Sequence, residues 1–181
     1  MLLTQPLPQH ANKVFSLNGN NLSLSLAEEL AFGKPFKINS ASKEKIDLAR
    51  SIVERIVELK TPTYGINTGF GFFAKTTIDF SSLVELQANI IKSHASSYGD
   101  PLSIEETRLA MILRLNVLLK GSSGSRFELC EALYQLINKE IFPIIPEYGS
   151  VGASGDLSPL AHLALPLIGE GWVKYKGEKI L

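Results

Sequence analysis

Gly149-Ser150-Val151-Gly152-Ala153-Ser154-Gly155-Asp156-Leu157-Ser158-Pro159-Leu160-Ala161-His162-Leu163-Ala164-Leu165 runs from a loop of small residues into an apolar segment. On composition it reads as a loop from Pro146 to Asp156 followed by a helix, with Ser158 as N-cap and Pro159 in the first helical position. Two chemical readings stand beside a plain surface turn. A serine nucleophile elbow requires G-x-S-x-G after a strand. In Gly152-Ala153-Ser154-Gly155-Asp156 the second glycine comes one position early, and no strand is expected to lead in. The other reading is backbone cyclisation. The Gly155 nitrogen attacks the Ala153 carbonyl carbon and closes a five-membered ring. Loss of two waters, one of them taking the Ser154 hydroxyl, leaves an exocyclic methylidene. The residue types suit this: Gly155 has no Cβ in the way and tolerates unusual dihedrals, Ala153 is small, and Ser154 supplies the leaving hydroxyl. Spacing alone does not choose among the three.

Outward from this loop the chain is mostly helical. The helix after Pro159 runs to about Ile168 and is kinked or shortened by Pro166. Beyond it, weak alternation from Trp172 to Leu181 around Lys176-Gly177 predicts a hairpin. Upstream, Ser125-Arg126-Phe127-Glu128 reads as a capping box opening a helix that ends before Pro143. Ser103-Ile104-Glu105-Glu106 is another, opening a helix to Lys120 that Gly121 stops. That helix is apolar on most sides and should be central and buried. Leu83, Leu86, Ile90 and Ile91 mark a helix over 81–96. Ile46, Ala49, Ile52, Val53, Ile56 and Val57 mark another over 42–60, ended by Pro62. Ser25-Leu26-Ala27-Glu28 predicts a short capped helix stopping near Gly33. A strand is expected around Val14-Phe15-Ser16-Leu17, with Asn18-Gly19 as a turn. Residues 1–13 are polar with two prolines and read as an extended tail.

Bulk properties exclude several classes. The chain has 181 residues, 45% of them hydrophobic, enough for one domain with a real core. Eighteen basic residues balance eighteen acidic ones, so no electrostatic footprint for nucleic acid or an anionic membrane is present. A single cysteine, Cys130, rules out an internal disulfide and reads as a buried core thiol. The first residues carry no charged segment ahead of an apolar run, and no apolar run is long enough to span a bilayer. A cytoplasmic location is the expectation, and the sequon Asn21-Leu22-Ser23 is read as chance.

A second loop, Tyr64-Gly65-Ile66-Asn67-Thr68-Gly69-Phe70-Gly71, is also glycine-rich. Gly69-Phe70-Gly71-Phe72-Phe73-Ala74 matches the dinucleotide pattern G-x-G-x-x-A. That pattern works only between a strand and a helix. Here a helix precedes, and Lys75-Thr76-Thr77-Ile78 does not start one, so the match is rejected. The glycines suggest backbone passing close to something. Tyr64 could be a core ring with a satisfied hydroxyl. His94 extends an apolar helix face and would ordinarily be a satisfied core histidine. The glycines between Asn116 and Arg126 could be an ordinary helix–helix turn.

The residues from Gly149 to Leu165, continued by Ile168-Gly169-Glu170-Gly171, resemble the signature of the aromatic amino acid ammonia-lyase family. Its members include histidine, tyrosine and phenylalanine ammonia-lyases and related aminomutases. The resemblance implies a mainly α fold, the N-terminal domain of an ammonia-lyase-type helical protein, with short strands. Residues 14–181 would form that domain fragment and carry the prosthetic loop at 149–156. It implies that Ala153-Ser154-Gly155 becomes a methylidene-imidazolone (MIO) group, with no metal or diffusible cofactor. The substrate amine would add to the methylidene carbon, and Tyr64 would remove a β-proton as general base. A free phenol titrates near pH ~10, so positive charge or helix N-termini would have to favour the phenolate.

Ser93-His94-Ala95 resembles the family's specificity position, where histidine goes with histidine or tyrosine substrates. Ile66-Asn67-Thr68 is more like the histidine enzymes, whereas Phe72-Phe73 departs from a frequent Lys-Leu or Lys-Phe. His162 reads as structural. Arg114 to Arg126 resembles a further family block, expected to shape the wall near the prosthetic group. The resemblance therefore implies a histidine ammonia-lyase forming urocanate, homotetrameric at full length, with a tyrosine ammonia-lyase, an aromatic aminomutase or a non-catalytic truncated fragment as alternatives. It covers about the first third of a usual member. The asparagine, tyrosine, arginine and glutamate that complete the family site lie downstream, so the 181-residue chain alone is expected to be inactive.

Overall fold

Ser103 opens the helix around which the rest is built. Its Oγ accepts the Glu106 N–H at 3.2 Å, and Glu106 Oε2 accepts the Ser103 N–H at 2.9 Å. Both halves of the capping box are therefore made, and they satisfy donors that a helix start leaves orphaned. In this computed structural model, which describes residues 14–149 and 155–181, that helix is α4 in chain order. The elements before it are β1 (Phe15–Leu17), α1 (Leu24–Ala31), β2 (Phe36–Ile38), α2 (Ala41–Glu58), α3 (Phe80–His94) and β3 (Tyr98–Pro101), with α4 spanning Ile104–Leu118. After it come α5 (Phe127–Asn138), β4 (Phe142–Pro143), β5 (Pro146–Tyr148), α6 (Leu157–Ala164), β6 (Val173–Tyr175) and β7 (Glu178–Ile180). The described chain is mainly helical, as expected. The tail assigned to residues 1–13 lies outside the described residues.

The core forms where α4 meets α1 and α5. Met111, Ile112 and Leu115 of α4 are completely buried, as is Cys130 of α5, and Leu30 and Leu133 nearly so. Each leucine so buried contributes roughly 1.5–3 kcal/mol relative to exposure. Burial also pushes the Cys130 thiol up to about 11, so it remains a protonated core group. Arg108 on α4 donates to the Ala31 carbonyl at 2.7 Å, closing the C-terminal end of α1. Tyr134 of α5 donates to the Phe36 carbonyl at 3.0 Å, and the two rings meet edge-to-face at 5.3 Å.

Three small sheets tie the helices together. β1 pairs with β2 in parallel, Ser16 opposite Lys37. β3 pairs with β5 antiparallel, Tyr98 opposite Tyr148. β4, β6 and β7 form an antiparallel sheet that contains the predicted hairpin, turning at Lys176 (φ 51°) and Gly177 (φ 86°). Gly19 has φ 90°, and a Cβ there would fall 2.6 Å from the Lys120 nitrogen. Only glycine fits the turn predicted there, which lies against the end of α4.

Several expected starts are corrected. The first helix is capped by Ser23, whose Oγ accepts the Leu26 N–H at 3.2 Å, and so begins two residues before the expected Ser25 box. No side chain caps α5. The chain turns through Gly124 (φ 63°) and places Arg126, not Ser125, at the N-cap. The loop expected from Pro146 is a strand over its first three residues, because β3 offers it a partner. Ser158 is not an N-cap: Asp156 occupies that position, and Ser158 lies inside α6. Pro166 does end the regular helix, which tightens into a 3-10 turn over Leu165–Ile168. Among the described residues no helix is long and apolar enough to cross a membrane.

Candidate active site

Tyr64 is held by a loop wound around Asn67. The Asn67 side chain is 4% exposed. Its Oδ1 accepts the Thr63 N–H at 2.8 Å, and its Nδ2 donates to the Thr61 carbonyl at 2.9 Å. Its own carbonyl accepts the Ile78 N–H at 3.0 Å, and Gly69 N–H donates to the Thr76 carbonyl at 3.0 Å. The glycines do mark a close approach, and the partner is the loop itself: a Cβ on Gly69 would lie 2.6 Å from that of Phe73. Gly65 takes φ 80° to complete the turn. With the backbone thus fixed, the Tyr64 ring stands 63% exposed, braced edge-to-face by Phe70 at 5.6 Å. The rejected dinucleotide reading is ruled out by geometry as well, since only a 3-10 turn, Gly71–Phe73, follows the glycines.

His94 is the last residue of α3, and its side chain is exposed. Its Nδ1 lies 2.8 Å from the Ile90 carbonyl. A carbonyl only accepts, so Nδ1 carries the proton and neutral His94 presents Nε2 as a bare acceptor. Among the described residues no side chain or backbone group bonds Nε2. His94 is therefore not a core histidine; its ring is fixed by its own helix, with the outer nitrogen free.

Gly155 opens the last helix. It has φ 85°, no heavy atom lies within 4 Å of where a Cβ would stand, and its carbonyl accepts the Leu157 N–H at 3.1 Å. A left-handed, unobstructed glycine whose nitrogen carries no neighbouring side chain fits the ring closure suggested by the sequence. Ala153 and Ser154 lie outside the described residues. The flanks of their segment are close to one another. A Cβ on Gly149 would fall 2.6 Å from Pro159 Cδ.

The end of α3 and the start of α6 are joined by hydrogen bonds that sequence reading missed. Ser158 Oγ accepts the Ser96 N–H at 3.1 Å and lies 2.6 Å from Ser97 Oγ. His162 Nε2 accepts the Ser97 N–H at 3.2 Å, and partial burial lowers its pKa. His162 is thus structural, as expected. A signal was available: a serine on the buried face of a short helix needs a partner. Lys92 and Glu170 add an exposed ion pair at 2.6 Å across the same junction, of little energetic weight.

The structure thus places His94 and Gly155 at a common junction of α3 and α6. No hydrogen bond or ring contact among the described residues links Tyr64 to either. The Asn116–Arg126 block lies elsewhere than expected: Ser123, Gly124 and Arg126 border a cavity of about 580 Å³ with Val53, Gly65 and Ile66, behind the Tyr64 loop. Within that block, Asn116 Oδ1 is buried without a hydrogen-bond partner.

Comparison with known proteins agrees with this architecture. A histidine ammonia-lyase of Staphylococcus aureus (strain JH9) is 54% identical over 136 residues, covering 75% of this chain and 27% of the relative. The crystal structure of histidine ammonia-lyase from Trypanosoma cruzi superposes with a TM-score of 0.84 at 37% identity, over 93% of this chain and 32% of that one. Tyrosine aminomutase from Streptomyces globisporus gives 0.85 at 37% identity, over the same 93% and 32%. The chain therefore spans about a quarter to a third of the length of these relatives. A family model described as aromatic amino acid lyase matches residues 22–181, and the chain belongs to that family.

Proposed function

We propose that this chain is the N-terminal part of a histidine ammonia-lyase, which eliminates ammonia from L-histidine to give urocanate. The observation that carries the reading is the 54% identity to the S. aureus histidine ammonia-lyase across the segment holding the candidate site. In this reading residues 14–181 are the N-terminal domain fragment, and Ala153-Ser154-Gly155 forms the MIO electrophile. That group, when present, takes up the substrate amine and makes nitrogen a better leaving group. The chain's own residues do the rest. Tyr64, on a loop made rigid by Asn67, takes the β-proton at its phenolic oxygen. His94, with Nδ1 occupied by Ile90, accepts a hydrogen bond at Nε2 from the substrate's imidazole N–H. Tyr64 and His94 are both exposed, so a site that excludes water needs cover from downstream chain or from other subunits of a tetramer. No metal, nucleic acid or membrane takes part, and the protein works in the cytoplasm.

A tyrosine-directed enzyme is the second reading. The solved tyrosine aminomutase matches the fold as well as the T. cruzi enzyme does, and a bare Nε2 accepts a phenol O–H equally. The test is a hybrid joining these 181 residues to the downstream part of the S. aureus relative. It should release ammonia and urocanate from L-histidine, with little product from L-tyrosine, while the 181-residue chain alone should release none. Ammonia from tyrosine and not histidine would sink the histidine assignment. Activity of the isolated chain would sink the requirement for cover.

A further inference from the structure

Ser97, Ser158 and His162 have no part in the proposed chemistry, yet they occupy the joint between α3 and the prosthetic segment. Ser158 is 2% exposed. A buried hydroxyl costs stability unless paired, and an alanine there would suit an apolar helix face better. Instead Ser158 Oγ holds the Ser96 N–H and the Ser97 hydroxyl, and His162 Nε2 holds the Ser97 N–H one helical turn further on. The other flank reaches the same piece of chain. At Gly149 a Cβ would fall 2.6 Å from Pro159 and 3.2 Å from Ser97 Oγ. Both flanks of segment 150–154 therefore converge on Ser97, three residues beyond His94. Apolar contacts alone would let these flanks slide; three directed hydrogen bonds fix their separation and angle.

We propose that the Ser97–Ser158–His162 hydrogen-bond cluster is the positioning device for maturation: it holds both flanks of the segment so that the Gly155 nitrogen meets the Ala153 carbonyl carbon. The proposal rests on the reading of the chain as a ring-forming lyase. The chemistry needs no outside reactant. One C–N bond forms between Gly155 and Ala153. The former carbonyl oxygen leaves as water with the Gly155 and Ser154 amide protons. The Ser154 hydroxyl leaves as a second water with the Ser154 α-proton. Nothing is oxidised or reduced, so the rate is governed by how well the reacting atoms are held. A displacement of about 1 Å costs such reactions on the order of 100-fold.

The test uses the hybrid protein and reads the loss of two waters by mass spectrometry at successive times after synthesis, with melting measured alongside. Ser158→Ala and His162→Leu should slow the loss by at least about tenfold. His162→Gln, which keeps an acceptor near the Nε2 position, should recover most of the rate. Ser97→Ala retains both backbone hydrogen bonds, guards against loss of the fold, and should slow the loss several-fold. Wild-type rates in the folded variants, or a folded His162→Gln as slow as His162→Leu, would overturn the proposal. An unsubstituted hybrid that never loses two waters overturns the ring-forming reading itself. That result differs from a failure of the cluster, in which the parent matures and the variants match it.

Discussion

Replacing Asn67 with alanine tests whether this residue builds the Tyr64 loop or reads the substrate. The structure gives the side chain two hydrogen bonds, to Thr63 N–H at 2.8 Å and to Thr61 carbonyl at 2.9 Å. Each contributes about 1 kcal/mol net, and a donor left unpaired away from water costs roughly 1–3 kcal/mol. Thr61 is exposed and water can replace its partner, whereas Thr63 is half-buried. The expected loss is therefore about 2–3 kcal/mol, concentrated in the loop. Asn67→Asp keeps an acceptor for Thr63 but sets a carboxylate against the Thr61 carbonyl, so it should lose at least as much as one bond. Urea unfolding of the 181-residue chain gives the stability change from the shifted midpoint. In the hybrid, both variants should lower turnover of histidine and tyrosine alike, because the Tyr64 mounting is damaged and the substrate contact is not. Two results would refute this reasoning: Asn67→Ala within about 0.5 kcal/mol of the parent, or unchanged stability with an altered histidine-to-tyrosine preference.

Cys130 is fully buried and its thiol is pushed up to about 11, so the native chain should resist iodoacetamide near neutrality and react fully in urea; rapid labelling in native buffer would contradict the packing of α5 on α4. His162 must be neutral to accept the Ser97 N–H, and burial lowers its pKa from 6.5. The depressed value means that its contribution is present above the unfolded value and is lost as pH falls through the folded one. Melting temperature should therefore drop more steeply below pH 6.5 for the parent than for His162→Gln, and equal slopes would argue against the bond.

Long amphipathic helices were legible because their pattern is local. The stripe from Ile46 to Val57 and the Ser103–Glu106 box mark α2 and α4 within a residue or two at most ends. What the sequence hid was set by neighbours far along the chain. β5 looks like loop because its strand character lies in its pairing with β3, nearly fifty residues earlier in the chain. Ser25 and Ser125 each fit a capping box by type and spacing. Which serine caps, or whether any does, depends on where the preceding turn releases the backbone. At α1 that residue is Ser23, and at α5 the turn at Gly124 passes over the serine altogether.

The candidate site divides along the same line. Tyr64, His94 and Ala153-Ser154-Gly155 stand out as residue types in short motifs, and the family is readable from the last of these with its flanks. Their mutual placement is not readable, because it is made by residues with no chemical signature. Ser158 looked like a cap; its hydroxyl instead reaches across to Ser96 and Ser97. Asn67 looked like a mark of substrate type; its amide is used up inside the loop. In both cases a small polar side chain is buried, and burial forces it to find partners. Those partners are backbone groups on the elements that carry the candidate catalytic and binding side chains. Side chains of this kind, rather than the reactive ones, set the angle at which Tyr64 and His94 are presented.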